Sequence, residues 1–266
     1  MAVTGGSATA RSRGPRSTGD FDYESLGAGY SKFRRADTRI ASYVETALGD
    51  ARTVLNVGAG TGSYEPQDRY VVAVEPSASM RSQRPPTAVP AIDASAEHLP
   101  FDDDCFDAGM AMVTVHQWAL PEQGLRELRR VSRGPVLVLT LDRDALDRLW
   151  LAQYVPELIA AERKRFPPIG WICGVLGGNA TVVPVPVPID CTDGFAEAFY
   201  ARPEALLDPE IRGCQSGWAF VAPGTEDRFV ADLRADLASG AWESAHGGLR
   251  AQREFEGALR LVVARR

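Results

Sequence analysis

Lysine, cysteine and histidine are all scarce in this chain of 266 residues. Lysine occurs only at Lys32 and Lys164, which leaves few candidates for a covalent mechanism through a Schiff base. The four cysteines lie far apart in the chain, at Cys105, Cys173, Cys191 and Cys214. They form no C-x-x-C pair and only three histidines accompany them, so the sequence predicts neither a zinc site nor a disulfide scaffold. We expect a reduced, cytoplasmic protein without a bound metal.

Long apolar runs and basic clusters are absent as well. No stretch approaches the length of a membrane span, and the N-terminus lacks the apolar core of a secretory signal, so we expect no membrane partner. The net charge is −6, and no basic run is interleaved with aromatic residues, which argues against a nucleic-acid partner. Hydrophobic residues make up 45% of the chain and charged residues 24%, the ordinary usage of a globular protein. One decorated α/β domain is therefore expected.

Composition and periodicity divide the chain into four segments. Residues 1–20 are rich in Gly, Ser, Thr and Arg with almost no apolar content, which predicts a disordered tail. Residues 21–48 carry apolar side chains at helical spacing, which predicts a helical N-terminal lid. Residues 49–141 alternate short β-branched runs with helical stretches, a pattern typical of parallel strands joined by crossovers. Residues 142–266 are expected to form a substrate cap together with the remaining strands.

Individual elements can be predicted within these segments. Strands are predicted for the runs TVLNV, VVAVE, AID, DAGMAMV and PVLVLT, and an amphipathic crossover helix that begins at a proline is predicted for PEQGLRELRRV, residues 121–131. The alternating prolines of TVVPVPVPID are compatible only with an edge strand or an irregular one. Further helices are predicted over residues 195–207 and 227–237, and the apolar run ALRLVVA closes the chain.

A glycine-rich turn follows the first predicted strand in VLNVGAGTGSYE, residues 54–65. Gly58, Gly60 and Gly62 allow positive φ and a close approach of backbone to a ligand, so the turn suits a nucleotide-like molecule. Ser63 occupies the place of the third glycine in the dinucleotide fingerprint, and no Gly-Lys-Ser/Thr follows, which argues against nicotinamide dinucleotides and against a P-loop. The alternative is a simple strand-to-helix turn.

Glu75 ends the second predicted strand, where a carboxylate can accept both hydroxyls of a ribose. With this acid, the glycine turn resembles that of class I S-adenosylmethionine-dependent methyltransferases, in particular the small-molecule enzymes related to the ubiquinone/menaquinone C-methyltransferase. The likeness is carried by about residues 30–141. It implies a Rossmann-like, doubly wound, mostly parallel seven-stranded sheet with lid and cap insertions, and S-adenosylmethionine as the cofactor. A homodimer is compatible with this architecture.

The resemblance also implies which residues hold the cofactor. They are Tyr30, Arg34, Asn56, Gly58, Ala59, Gly60, Glu75, Pro76, Met80, Ser95, Ala96 and Thr114. In this assignment the glycine turn lies against the methionine part, Glu75 holds the ribose, and Pro76, Ser77 and Met80 line the adenine. Tyr30 and Arg34 of the lid, with Tyr23, close over the cofactor carboxylate; core packing of Tyr30 and solvent exposure of Arg34 are the alternatives.

Two positions depart from the family pattern. Many members carry Asp or Glu where this chain has Asn56, and an amide oxygen accepts the same hydrogen bond from the ligand's amino group without contributing charge. The segment DASAEHLPFDDDCFD resembles the motif that meets the adenine edge, with Ser95 in place of a frequent Asp. Asp93 is the alternative acceptor for the exocyclic amine.

Methyl transfer from a sulfonium is an in-line displacement, so a general base is required only if the nucleophile arrives protonated. His116 in MVTVHQW is the candidate base, because it follows the fourth strand at the edge where open α/β sheets bind ligands. Gln117 replaces one member of a histidine pair common in the family, and Trp118 is suited to form an aromatic wall. Packing of His116 on Trp118, or capping of the next helix, is the alternative. His98 and His246 are interpreted as surface residues.

The segment PIDCTDGFAEAFY places Asp190, Cys191 and Asp193 after a predicted strand. They could form a polar rim of an acceptor pocket, but we favour Asp193 as a helix N-cap and Cys191 as a buried apolar residue.

The predicted function is methyl transfer to an O, N or C atom of a small-molecule metabolite. The alternative is a noncatalytic S-adenosylmethionine-binding protein, or a cyclase that uses the cofactor electrostatically, suggested by Asn56 and Ser95. An oxidoreductase using a nicotinamide cofactor is disfavoured by the glycine spacing.

Overall fold

The computed structural model describes residues 30–266, with only the backbone described at Tyr30. The predicted tail over residues 1–20 and the first part of the predicted lid, including Tyr23, lie outside the described residues. Across the described part of the chain, no helix combines the length and apolar character needed to cross a membrane.

The strands of the described chain include the five that the runs between residues 53 and 141 predict. The strands are β1 (Thr53–Val57), β2 (Tyr70–Val74), β3 (Ala91–Ile92), β4 (Ala108–Met112), β5 (Val136–Leu141), β6 (Asn179–Pro184), β7 (Val187–Pro188), β8 (Glu254–Phe255) and β9 (Leu259–Arg265). Seven of them form one sheet in the order β3-β2-β1-β4-β5-β9-β6, and β7 pairs with β8 in a separate two-stranded sheet.

The large sheet is parallel from β3 through β5 and antiparallel at β9. The predicted mostly parallel, seven-stranded, doubly wound sheet is therefore confirmed. Strand β1 lies between β2 and β4, so the chain first winds outward through β2 and β3 and then returns to the other side of β1. This reversal is the topological switch point at which open α/β sheets bind their ligands.

Successive side chains along the central strands point to opposite faces of the sheet, and apolar residues on both faces explain why both are covered. Val54 of β1 and Met110 of β4 pack into one buried cluster with Ile40, while Leu55 and Ala111 pack into a second cluster on the opposite face. Successive side chains of a strand point to opposite faces, so a continuous apolar run such as TVLNV fills two layers at once.

The α-helices of the described chain range from 4 to 15 residues in length. They are α1 (Tyr30–Phe33), α2 (Thr38–Leu48), α3 (Ala78–Ser82), α4 (Pro121–Val131), α5 (Leu151–Tyr154), α6 (Pro156–Arg165), α7 (Ile169–Leu176), α8 (Pro209–Gly213), α9 (Thr225–Ser239) and α10 (Ala241–His246). Helix α4 has the predicted bounds and buries Leu125 and Leu128 against the sheet. Helix α2 begins after Asp37, whose side chain accepts a hydrogen bond from the backbone N–H of Arg39 and caps the helix.

The second half of the chain agrees with the prediction only in part. Strand β6 is an edge strand paired with β9 alone, as its prolines require, and the closing run forms β9. The helix predicted over 195–207 is wrong: this segment forms two 3₁₀ turns, Ala196–Phe199 and Pro203–Leu207. Pro203 explains the break, because proline lacks the N–H that would continue a helix and restricts the residue before it.

Candidate active site

A cleft opens at the switch point, beside the carboxyl ends of β1 and β4. We call it the switch-point cleft. Its walls include most of the residues predicted to hold a cofactor: Asn56, Gly58, Ala59, Gly60, Glu75, Pro76, Ser77, Met80, Ser95, Ala96 and Thr114. Trp118 lines it too, at the position predicted for an aromatic wall. The tertiary structure thus gathers these separated residues around one space, although their contact with a cofactor stays a prediction.

The glycine turn has the geometry that its sequence predicts. Gly58 and Gly60 have φ values of 68° and 51°, in the left-handed region that favours glycine. A Cβ atom on Gly58 would lie 2.2 Å from Oγ1 of Thr114. The N–H groups of Gly58 and Ala59 both donate to the carbonyl of Val74, at 2.9 and 3.0 Å. The turn is therefore pressed between β2 and Thr114, with no room for a side chain at its first glycine.

Glu75 is buried at the edge of the switch-point cleft and braces the same turn. Its Oε2 accepts a hydrogen bond from the N–H of Gly60 at 2.8 Å, and its Oε1 accepts one from the N–H of Ser77 at 2.8 Å. Burial raises the pKa of Glu75, and these two backbone donors oppose that rise. A carboxylate has about four lone-pair sites, so each oxygen keeps capacity for a further donor such as a ligand hydroxyl.

Asn56 belongs to a buried polar cluster that the sequence did not reveal. Its Nδ2 donates to Oε1 of Glu65 at 3.0 Å, and Glu65 forms a two-oxygen ion pair with Nη2 of Arg84, at 2.8 Å to each oxygen. The other amide atom, Oδ1 of Asn56, is buried without a hydrogen-bond partner among the described residues. The acid stands at the end of the glycine motif, but Arg84 lies 19 residues further along, so only the fold brings the pair together.

The adenine-side residues predicted by resemblance surround the start of α3. Ser77 caps this short helix by accepting a hydrogen bond from the N–H of Met80 at 3.1 Å, and Met80 is buried. Ser95 and Ala96 line the same cleft. Asp93, the alternative adenine acceptor, is not among the residues lining the cleft, and its carboxylate lies 3.5 Å from Nη1 of Arg81.

A second cavity adjoins the switch-point cleft, and we call it the apolar cavity. Val113 and Gln117 line both spaces, so the two meet at the end of β4. The walls of the apolar cavity are mainly aliphatic and aromatic: Leu141, Leu146, Leu149, Leu151, Leu158, Ile159, Phe166, Phe195 and Trp218. Val113 has a φ of 53°, which is rare for a β-branched residue and marks a strained backbone at the junction.

His116 lies in the wall of the apolar cavity beside the junction, where it was predicted as a base. Its ring stacks on Phe166 with 4.1 Å between the ring centroids, so the alternative of packing on Trp118 is not what the structure shows. Its Nδ1 is buried and has no hydrogen-bond partner within the described chain. Burial, with smaller contributions from Arg165 and Arg34, lowers the pKa of His116 well below its ordinary value. The imidazole is accordingly neutral near pH 7.

Glu197 also lines the apolar cavity, and sequence reasoning missed it. Its Oε1 accepts a hydrogen bond from the N–H of Ala258 at 2.6 Å, while its buried Oε2 has no hydrogen-bond partner in the described residues. Burial raises the pKa of this carboxyl to about 7, against the lowering effects of the Ala258 N–H and the charge of Arg260. A lone Glu in the run FAEAFY carries no signal of this environment.

Asp193 links two distant parts of the chain, the segment after α1 and the glycine turn. Its two carboxylate oxygens accept hydrogen bonds from Nε of Arg34 at 2.5 Å and from the hydroxyl of Tyr64 at 2.7 Å. The predicted N-cap role is therefore wrong, since Phe195 stands at the N-cap of the following 3₁₀ turn. Arg34 lines the apolar cavity and not the switch-point cleft. The side chain of Tyr30, predicted to act with it, lies outside the described structure.

The other singled-out residues lie away from the two spaces. His98 is exposed as predicted, whereas His246, also predicted at the surface, is half-buried against the rings of Trp150 and of Trp242 in its own helix. Cys191 is buried, and burial raises the pKa of its thiol to about 12. Over residues 30–266, no group of three or more His, Cys, Asp or Glu side chains could hold a metal ion.

The atoms of the switch-point cleft fit a ligand with vicinal hydroxyls and a cationic amino group. Glu75 offers spare carboxylate lone pairs, and Asn56 offers an amide oxygen that has no partner within residues 30–266. The glycine turn between them has no side chain at Gly58 or Gly60 to keep a ligand away. Ribose and an amino-acid ammonium group are the parts of S-adenosylmethionine that need these partners.

Comparison with known protein sequences agrees with this geometry. The family model described as a methyltransferase domain matches residues 55–138. Demethylmenaquinone methyltransferase from Mycobacterium tuberculosis is 31% identical over 119 residues, which are 42% of this chain and 49% of that protein. The chain thus spans about half the length of the curated relatives it matches.

Comparison with solved structures extends the likeness beyond residue 138. A putative methyltransferase from an antibiotic biosynthesis pathway of Anabaena variabilis superimposes with a TM-score of 0.80 at 28% identity, covering 87% of this chain and 98% of that one. Geranyl diphosphate C-methyltransferase from Streptomyces coelicolor, in complex with Mg²⁺, geranyl diphosphate and S-adenosyl-L-homocysteine, gives 0.50 at 16% identity, covering 86% and 79% of the two chains. The second likeness supports the fold alone.

Proposed function

We propose that this chain is a class I S-adenosylmethionine-dependent methyltransferase that transfers a methyl group to a small-molecule acceptor held in the apolar cavity. The observation that carries the proposal is the junction of the two spaces. The switch-point cleft and the apolar cavity share Val113 and Gln117, so a donor in one space and an acceptor in the other would meet at the end of β4.

The cofactor would be held by the residues that brace the glycine turn. Glu75 would accept the ribose hydroxyls, Asn56 would accept from the amino group, and the backbone of Gly58 and Gly60 would lie against the amino-acid part. S-adenosylmethionine, when bound, supplies an electrophilic methyl group on a sulfonium and leaves as S-adenosylhomocysteine. The protein's task is then to align the nucleophile and to keep water out, which a cavity walled by apolar side chains favours.

We assign the general-base role to His116. The neutral imidazole can accept the proton that a hydroxyl acceptor loses as its oxygen forms the new bond to carbon. Stacking on Phe166 fixes the ring plane beside the junction, at 4.1 Å between centroids. The same burial that keeps the ring neutral disfavours the imidazolium, so the proton would pass on to solvent before the next turnover. Near pH 7 and above, the base would already be in its active form.

The cavity lining favours an acceptor with an apolar body and one ionisable hydroxyl group. The walls are dominated by leucine and aromatic side chains, while His116 lies beside the junction that Val113 and Gln117 define. A hydroxyl requires proton removal during transfer, which gives His116 a task. An amine or an acidic carbon centre would use the same base, and these acceptors belong in the test as competitors.

The experiment is methyl transfer from S-adenosylmethionine labelled in its methyl group. The acceptor panel would contain aromatic and terpenoid alcohols, each matched with its O-methyl ether, its amine analogue and a carbon acid of similar size. Label on oxygen, with one S-adenosylhomocysteine formed per methyl transferred, is the expected result. Label on nitrogen or carbon alone would refute the hydroxyl assignment. Cofactor binding without transfer to any acceptor would favour the noncatalytic or cyclase alternative.

A further inference from the structure

The buried cluster behind the glycine turn contains an ion pair between Glu65 and Arg84. Within the described chain, the carboxylate of Glu65 is bonded to Arg84, at 2.8 Å from both oxygens, and to the amide of Asn56 at 3.0 Å. The side chains of Glu65 and Arg84 are 3% and 4% exposed, so this is an interior ion pair and not a surface contact. Buried ion pairs of this kind require complete hydrogen bonding to be tolerated.

The ion pair determines how the amide of Asn56 is oriented. A carboxylate paired with arginine can only accept hydrogen bonds, so Asn56 must turn its NH₂ group toward Glu65. Its carbonyl oxygen then points away from the pair, and this oxygen is the buried atom left without a partner in the described chain. Asn56 itself lines the switch-point cleft. The assignment of oxygen and nitrogen within the amide therefore follows from its neighbour.

The cluster also accounts for asparagine at a position where many relatives carry an acid. An aspartate at this position would place a second carboxylate within about 3 Å of Glu65, and two carboxylates sharing a buried site cannot both ionise without a large penalty. Arg84 is already committed, since it also donates to the carbonyl of Gly60 at 3.1 Å and to that of Val89 at 2.9 Å. Asn56 is thus the residue compatible with Glu65.

We propose that Glu65 is a positioning residue: held by Arg84, it fixes the Asn56 amide so that Oδ1 accepts a hydrogen bond from the α-ammonium group of the cofactor. The inference deepens the proposed function and depends on one part of it, the binding of the cofactor. The negative charge that relatives place next to the ammonium group stands one hydrogen bond further away in this chain. Moving that charge back should be possible by exchanging the acid and the amide between the two positions.

The test is a charge-conserving exchange measured by titration calorimetry with two ligands. S-adenosylhomocysteine carries the amino-acid part, and 5′-methylthioadenosine lacks it while keeping the adenine and ribose. The variants are Asn56→Asp, Asn56→Ala and the double variant Asn56→Asp with Glu65→Gln, in which the introduced glutamine amide donates the hydrogen bond that Asn56 donates in the parent. Circular dichroism and thermal unfolding check that each variant is folded.

We expect Asn56→Ala to bind S-adenosylhomocysteine about 10- to 100-fold more weakly, the value of one hydrogen bond to a charged group. Asn56→Asp keeps an oxygen at this position, and we expect it to lose affinity because repulsion by the Glu65 carboxylate displaces that oxygen. The double variant should recover the affinity of the parent protein to within about threefold, because one charge is again present in the cluster and the second oxygen of the introduced aspartate faces the ammonium group. Affinity for 5′-methylthioadenosine should change less than about threefold in every folded variant, because this ligand lacks the ammonium group.

Three results would overturn the inference: parental affinity in Asn56→Asp and Asn56→Ala, a double variant no better than Asn56→Asp, or loss of 5′-methylthioadenosine affinity in parallel with the other ligand. The last result would mean that the cluster only supports the turn. If Asn56→Asp fails to fold, Asn56→Ala and the double variant decide the matter. A parent protein that binds neither ligand would refute the proposed function itself.

Discussion

The stability of this protein should depend on pH through Glu197. The carboxyl is buried in the wall of the apolar cavity, and its pKa is raised from an ordinary 4.5 to about 7. A raised carboxyl pKa means that the folded state holds a proton that the unfolded state has released between these two values. The destabilisation of the folded state by Glu197 is therefore absent below about pH 4.5 and reaches its full size above about pH 7. At about 1.36 kcal/mol per pKa unit, the penalty is on the order of 3 kcal/mol.

The variant Glu197→Gln isolates this penalty because its side chain is neutral at every pH and still accepts from the N–H of Ala258. Urea unfolding of both proteins from about pH 4.5 to 8 gives the difference in free energy of unfolding at each pH. That difference should shift by about 3 kcal/mol in favour of the variant as the pH rises through this window. Glu45→Gln, at an exposed position of α2, serves as the surface control. Two proteins whose stabilities run parallel across the whole range would show that burial of Glu197 does not govern its protonation.

Three further predictions concern the two spaces of the candidate site. Glu75→Ala should weaken S-adenosylhomocysteine binding by ~2–4 kcal/mol, since it removes two charge-assisted hydrogen bonds to the ribose; unchanged affinity in calorimetry would refute the assignment. His116→Ala should retain cofactor affinity while single-turnover transfer to a hydroxyl acceptor slows about 10²- to 10⁴-fold, and an unaltered rate would remove it as the base. Gly58→Ala should abolish cofactor binding, because its Cβ would lie 2.2 Å from Oγ1 of Thr114. Gly49→Ala is the matched control, with a φ of 56° but no atom within 4 Å of the added Cβ, so it tests backbone strain alone by thermal unfolding.

The core of the fold could be predicted because its signals are local. Each buried strand is a short β-branched run, and helix α4 is marked by an initial proline and a regular apolar spacing, with the bounds Pro121–Val131 in both prediction and structure. The structure of the second half of the chain was less predictable. In the segment 195–207 one helix was predicted, but its backbone hydrogen bonds close over three residues instead of four and Pro203 divides it. Tertiary packing of short irregular turns leaves no periodic pattern in the sequence.

The candidate site divides in the same way. Gly58, Gly60 and Glu75 belong to motifs whose chemistry follows from residue type and spacing, and the fold places them around one cleft. The partners of Asp193 could not be foreseen, since Arg34 lies 159 residues away and Tyr64 lies 129 residues away. A local N-cap is the better prediction for an isolated aspartate before an apolar run, and here a long-range ion pair replaces it.

The sequence by itself determined the kind of sheet, the nucleotide-like turn and the acid that ends the second strand, because these depend on φ, ψ and side-chain chemistry within a few residues. Only the tertiary structure decided which polar groups are left without partners in the described chain and which pKa values shift. Burial and hydrogen-bond partners come from residues far apart in the chain, as with Asn56, Glu65 and Arg84 behind the turn. The glycine turn marks where the cofactor is expected, and the packing around it determines how the protein can hold that cofactor.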